Sequence, residues 1–261
     1  MYKRQIIIIT GGAEGIGKAI TQCVAAEGGI PVIIGKSKQA GDDLQEELRN
    51  EGHEVLALFY ELGPAENCKA AVSQVVDKYG QIDALVNNAG ANDGVGLENG
   101  NPEKFLGSMS NNLFHYYYMA HYCLPALKES QGSILNVSSK TAVTGQGNTA
   151  GYAASKGAHL ALTREWAVEL LKYNIRVNAI VPAEVMTPLY KKWLGTFDDP
   201  DTKRREIEKN IPLGNRMTTA EEIADMALFL ISERASHITG QHIFVDGGYV
   251  HLDRSLSVLG G

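Results

Sequence analysis

The chain has 261 residues, 44% of them apolar, with 24 basic and 30 acidic side chains and a formal net charge of −6. That length and apolar share can bury a sizeable core, and a single domain spanning 1–261 is expected. The acidic balance, without any block of like charge, argues against a nucleic-acid-binding surface.

The opening MYKRQIIIITGG has a basic start, but its apolar run covers only Ile6 to Ile9 before two glycines. It is too short for a secretory leader or a membrane span. Three widely spaced cysteines, Cys23, Cys68 and Cys123, read as reduced, buried small side chains. A cytoplasmic protein is therefore expected.

Strands are predicted at Ile6–Thr10, Val32–Ile34, Val55–Tyr60, Ala84–Asn87, Ser133–Ser138, Arg176–Val181 and His242–Val245. Between them lie predicted helices at Gly15–Glu27, Gly41–Asn50, Glu66–Tyr79, Phe105–Leu127, Ala153–Lys172 and Ala220–Ile231. Runs such as IIIIT and ALVNN lack polar alternation, as strands buried on both faces do. The βα rhythm implies right-handed crossovers and a Rossmann-type, doubly wound parallel sheet with helices on both faces. Ligands in such sheets bind beyond the carboxyl ends of the strands.

The first strand runs into Thr10-Gly11-Gly12-Ala13-Glu14-Gly15-Ile16-Gly17. Glycines at 11, 15 and 17 allow a tight turn, close approach of backbone to a pyrophosphate, and close packing of the next helix. That helix aims its first amides at the phosphates. Gly11, Glu14, Gly15, Ile16 and Gly17 are therefore the expected cofactor loop. The second strand ends in Gly35-Lys36-Ser37-Lys38, without a carboxylate to accept from a free ribose hydroxyl. Lys36 can pair with a 2′-phosphate and Ser37 can bond it, so NADP is preferred over NAD.

Tyr152 and Lys156 stand four residues apart, on one face of a predicted helix. A free tyrosine is too weak an acid to serve as a base at neutral pH, and a nearby ammonium favours the phenolate. Tyr152 could then take a hydroxyl proton as hydride departs, with Lys156 also reaching the nicotinamide ribose. Ser139, at the end of a strand, could hold the substrate oxygen, and Asn112 could complete a polar relay behind the lysine. The seven histidines show no ligand spacing, and no metal is expected.

With these residues in place the chain resembles the short-chain dehydrogenase/reductase superfamily over nearly its whole length. The landmarks are Thr10–Gly17, Asn87-Asn88-Ala89-Gly90, Asn112, Ser139, Tyr152 with Lys156, Pro182 to Thr187, and Val245-Asp246-Gly247-Gly248. The resemblance implies a catalytic tetrad of Asn112, Ser139, Tyr152 and Lys156. It places Asn87, Ala89 and Gly90 near the adenosine ribose, Glu61 and Leu62 around the adenine, and Pro182, Val185 and Thr187 on the nicotinamide amide and phosphates. Glu61 stands where the family usually has Asp, and Ala183 where it usually has Gly. Many family members assemble through the helix that here carries Tyr116, Tyr117 and Tyr118, which implies a homotetramer. Successive helical residues point about 100° apart, so one or two of these tyrosines should enter the core.

Longer stretches are similar to bacterial L-fucose dehydrogenases of this superfamily. They include Asn87 to Gly94, Asn112 to Tyr122, Ser138 to Thr149 and Pro182 to Tyr190. This implies oxidation of the anomeric hydroxyl of a sugar to a lactone. Asn92, Asp93, Lys140, Gln146 and Glu184 flank the catalytic landmarks and suit a polyol, whose buried hydroxyls each need a partner. A segment at about 190–211, with Tyr190, Trp193 and Phe197, is expected to cover the substrate. His251-Leu252-Asp253-Arg254 reads as an ordered tail or an approach to a neighbouring site. The polar pocket argues against a carbonyl or 3-oxoacyl reductase, and the complete tetrad against a non-catalytic cofactor-sensing protein.

Overall fold

A computed structural model describes residues 2–252. Seven strands form one parallel sheet in the order β3-β2-β1-β4-β5-β6-β7. They are β1 (Ile6–Thr10), β2 (Ile30–Gly35), β3 (Leu56–Phe59), β4 (Ala84–Asn87), β5 (Ser133–Val137), β6 (Arg176–Pro182) and β7 (His242–Val245). The helices are α1 (Gly15–Ala26), α2 (Lys38–Asn50), α3 (Ala65–Tyr79), α4 (Pro102–Met109), α5 (His115–Ser130), α6 (Ala150–Leu170), α7 (Pro188–Leu194), α8 (Pro200–Glu208) and α9 (Ala220–Ile231). Asp253 and Arg254, part of the expected tail, lie outside the described residues. His251 packs edge-on against Phe244.

The isoleucine run shows why the sheet is buried on both sides. Ile6 and Ile8 point into a cluster with Val72, Val75, Met119 and Trp166, from α3, α5 and α6. Ile7 and Ile9 point the other way, into Ile20, Val24, Ile223 and Ala227 of α1 and α9. Strand side chains alternate between faces, so only a uniformly apolar run can satisfy both layers. Cys68 and Cys123 are buried in the first cluster. Tyr116 is fully buried, Tyr118 packs partly against the core, and Tyr117 is half exposed.

The expected helix Phe105–Leu127 is divided. α4 ends at Met109, a π-turn occupies Ser110–Phe114, and α5 begins at His115. The extra residue per turn brings Asn112 inward, where it is fully buried. Its side chain accepts from the Ala91 backbone N–H at 2.8 Å and donates to the Ser108 carbonyl at 3.0 Å. The break carries no proline or glycine, so apolar periodicity does not reveal it.

Polar side chains also tie the layers together. The Asn87 amide donates to Asn136 at 3.1 Å, and the Asn136 amide donates to Thr163 at 3.0 Å, joining β4, β5 and α6. All three residues are fully buried. Replacing Asn136 with Leu should lower unfolding free energy by roughly 2–4 kcal/mol, because it leaves Asn87 and Thr163 short of partners. Urea unfolding at neutral pH measures this; an unchanged midpoint would show that water replaces the lost partner.

Candidate functional site

The candidate residues gather at the carboxyl ends of the strands. At the end of β1 the chain turns through Gly11 and Gly15, with φ of 64° and 54°. These left-handed values strongly favour glycine. At Gly17 the constraint is contact: an added Cβ would lie 2.1 Å from the Gly11 carbonyl oxygen. The loop is braced from β4. The Asn88 amide donates to the Thr10 carbonyl at 2.9 Å, and Thr10 Oγ1 accepts from the backbone N–H groups of Asn88 and Ala89. No side chain caps the first amides of α1, and its first turn carries no acid. Uncapped amides behind a glycine turn suit a pyrophosphate, so this loop can hold a dinucleotide.

Around it the remaining expected cofactor residues divide. Thr187, which caps α7, lies across the loop from Gly15, where an added Cβ would meet its methyl group at 3.2 Å. Val185 is buried and bridges to Thr218, and Pro182 ends β6. Ile16 packs partly against the core, while Leu62 is buried within it. Glu61 is exposed beyond β3. The Asn87 side chain is held in the interior, its NH2 group donating to Asn136. Gly90, with φ of 148°, lets Asn112 approach; a Cβ there would come within 2.8 Å of Asn112 Oδ1. Beyond β2, Lys36 is exposed, Lys38 pairs with Asp42 at 2.6 Å, and Ser37 donates to the Glu14 carboxylate at 3.2 Å.

Ser139, Tyr152 and Lys156 meet where β5 and α6 adjoin. Ser139 is extended and its hydroxyl accepts from the Thr141 N–H. The Ser138 hydroxyl donates to the Lys156 carbonyl at 2.8 Å, anchoring α6 to β5. Burial pushes the Tyr152 phenol up to about 12, offset in part by its hydrogen bond with Ser139. This corrects the expectation of a phenol lowered by its lysine: here desolvation dominates. Lys156 is 3% exposed, and burial brings its ammonium down to about 7. It lies 5.4 Å from the Tyr152 ring centre and donates to the Val137 carbonyl at 2.8 Å and the Tyr116 hydroxyl at 3.3 Å. Asn112 makes no direct bond to it; the Asn112 carbonyl instead accepts from His159 Nε2 at 2.8 Å.

The expected substrate residues are only partly brought together. Lys140 forms an ion pair with Glu184, and both side chains are almost wholly enclosed. The Lys140 ammonium sits 4.2 Å from the centre of the Tyr249 ring. Tyr190 joins them: burial and then the Glu184 carboxylate push its phenol upward. Trp193 is more exposed and stacks edge-on between Tyr190 of α7 and Phe197 of the loop that follows. Asn92, Asp93 and Gln146 are exposed on the loops after β4 and β5, and Asn92 is engaged locally with the Gly94 N–H. Tyr249, Tyr116 and His159 were not singled out as site residues. Only the place of Tyr249 beside Val245–Gly248 could have marked it.

The model of the family described as enoyl-(acyl carrier protein) reductase, within the short-chain dehydrogenase/reductase group, matches residues 11–250. The chain belongs to the short-chain dehydrogenase/reductase superfamily. It is an oxidoreductase of that superfamily, whose members use NAD(P)(H) and act on small molecules. The 3-oxoacyl-[acyl-carrier-protein] reductase FabG of Thermotoga maritima is 37% identical over 94% of this chain and 98% of its own. The L-fucose dehydrogenase of Oryctolagus cuniculus is 34% identical, over 95% and 85%. The crystal structure of the Cj0485 dehydrogenase superposes with a TM-score of 0.92 at 51% identity, covering 97% of each chain. No helix among the described residues is long and apolar enough to cross a membrane.

Two buried histidines give the superfamily fold here a pH-dependent stability. Burial pushes His115 down to about 4 and drives His159 well below its ordinary value. Their folded-state pKa values lie below the unfolded value near 6.5, so their contribution is intact above about pH 6.5. As pH falls from there toward 4 the unfolded chain binds protons that the folded chain refuses. Each histidine should then cost about 1 kcal/mol per pH unit. Urea midpoints at pH 7.5 and 5.5 should differ accordingly, with a smaller difference in His159→Gln; equal midpoints would mean that the rings ionise in place.

Proposed function

We propose that this oxidoreductase removes a hydride from the anomeric carbon of a sugar, L-fucose or a close stereochemical relative, giving the lactone. The observation that carries this reading is the enclosed Lys140–Glu184 pair next to Ser139, flanked by Tyr190 and Tyr249. Enclosing two charges costs desolvation, which hydrogen bonds to a ligand can offset and an alkyl chain cannot. A sugar offers such bonds on several edges and presents C–H faces to Tyr190 and Trp193. The 34% identity to the rabbit L-fucose dehydrogenase over most of both chains supports the same substrate class. A second reading, reduction of a 3-oxoacyl group, is favoured by the 37% identity to the Thermotoga enzyme.

In this reading Ser139 holds the substrate oxygen and Tyr152 Oη takes its proton as the C–H bond breaks. Lys156 stabilises the resulting phenolate and orients the cofactor through its ribose, while Asn112 fixes the backbone at Ala91. When bound, an oxidised nicotinamide accepts the hydride and carries a positive charge that favours the phenolate. Tyr190, Trp193 and the rest of the segment at about 190–211 cover the sugar and exclude water. Assembly as a homotetramer would use α5 and α6, where Tyr117 and Val168 are exposed.

Steady-state formation of reduced nicotinamide with L-fucose, L-galactose and D-arabinose, set against consumption of reduced nicotinamide with 3-oxoacyl thioesters, separates the two readings. Turnover of L-fucose should fall by about a thousandfold or more in Tyr152→Phe, within the range for loss of acid–base catalysis. In Glu184→Gln the sugar KM should rise roughly tenfold, equivalent to one hydrogen bond to a charge. Turnover of thioesters but not sugars would favour the second reading.

Lys36 reads a 2′-phosphate in this proposal, with Ser37 as a further donor, so NADP is the preferred cofactor and NAD an accepted one. Glu14 places a negative charge beside that position and holds the preference to a modest one. The expected outcome is an NADP KM about tenfold higher in Lys36→Asp and severalfold lower in Glu14→Gln, with NAD little changed. If both substitutions leave the NADP/NAD ratio unmoved, the phosphate is read elsewhere.

A further inference from the structure

Two carbonyls of the π-turn, those of Asn111 and Asn112, take side-chain partners. Both partners are imidazoles. His115 Nε2 bonds the Asn111 carbonyl at 3.1 Å, and His159 Nε2 bonds the Asn112 carbonyl at 2.8 Å. A carbonyl only accepts, so both rings carry their proton on Nε2. Their Nδ1 atoms are buried and have no partner, which suits neutral rings. Tyr116 lies flat on His159, with ring centres 3.6 Å apart and planes 13° from parallel. Its hydroxyl donates to the Val137 carbonyl at 3.0 Å and accepts from Lys156 Nζ at 3.3 Å.

We propose that Tyr116 and His159 are positioning residues for the proton transfer: His159 clamps the π-turn and the Tyr116 ring, and the Tyr116 hydroxyl holds the Lys156 ammonium in register with Tyr152. The inference rests on the roles given above to Tyr152 and Lys156.

The groups facing Lys156 are Tyr116 and His115 from α5, Tyr152 and His159 from α6, and the Val137 carbonyl of β5. From the loop after β4, Gly90 approaches closely enough that an added Cβ would lie 3.9 Å from Nζ. Among the described residues no carboxylate bonds the ammonium, which has two neutral oxygen acceptors. Removing the Tyr116 hydroxyl takes away one of them. Lys156 then loses its proton at lower pH, and without that charge the Tyr152 phenolate is harder to form. The acid limb of the rate profile for alcohol oxidation should therefore move to higher pH.

The test compares wild type, Tyr116→Phe, His159→Gln and His159→Leu, using NAD(P) and whichever alcohol or sugar the wild type oxidises. In Tyr116→Phe the acid limb of kcat should rise by about one pH unit, the equivalent of one hydrogen bond to a charge. Cofactor KM should stay within about twofold and kcat at pH 7 should fall about tenfold, the rate equivalent of that one-unit shift. His159→Leu should show the same shift, and His159→Gln, which can still donate to the Asn112 carbonyl, a smaller one. A second readout needs no substrate: the Tyr152 phenolate difference spectrum, taken against Tyr152→Phe in saturating NAD(P), should titrate about one unit higher in Tyr116→Phe. Unmoved pH limbs and phenolate titration, with any loss confined to melting temperature, would overturn the proposal and leave Tyr116 and His159 as core residues only. Failure of the sugar assignment would show in the wild-type substrate panel, whereas failure here shows only between variants.

Discussion

A buried ammonium held by neutral oxygens is the constraint on which the site depends. Lys156 has the Val137 carbonyl and the Tyr116 hydroxyl as its acceptors. An ion removed from water needs fixed partners, and here they come from two different elements. β5 must end where its last carbonyl faces the ammonium, and α5 must be displaced so that Tyr116 reaches it. The π-turn supplies the displacement, and Ser138 pins α6 at the required depth. The result is a lysine near 7 beside a phenol near 12, a pair whose proton distribution responds to any added charge.

The scaffold was largely legible in the sequence because its signals are local. Four isoleucines on a doubly covered strand can hardly serve another purpose, and the glycine spacing after them follows from contacts between Gly11 and Gly17. The proposed tetrad rests on spacing and resemblance. The surroundings of the tetrad were not legible. The carbonyls at the bend, of Asn111 and Asn112, are met by the imidazoles of His115 and His159, the latter 47 positions away, and pairwise spacing cannot anticipate such a partner. Asn87 reads as a cofactor residue because it sits in a landmark, and the buried ladder by which its amide joins Asn136 and Thr163 has no signal in the sequence. Tyr152 read as an acidified phenol because a lysine lies one turn away. In the folded chain burial raises the phenol, and it is Ser139 that offsets this in part.

Charge is placed sparingly around the cleft, and each placement has a distinct consequence. After β2 the Ser37 hydroxyl donates to the Glu14 carboxylate, beside the exposed Lys36. At the site proposed for the substrate, Lys140 and Glu184 neutralise one another within an aromatic frame of Tyr190 and Tyr249. A ligand that enters there meets matched donors and acceptors without a net charge, which suits a neutral polyol.

Hydride abstraction from the anomeric carbon is the central claim, and isotopic tracing tests it most directly. L-fucose carrying deuterium at C1 should deliver the label to C4 of the reduced nicotinamide, with a slower rate than unlabelled sugar when chemistry limits turnover. Deuterium retained at C1, while cofactor is reduced, would contradict it.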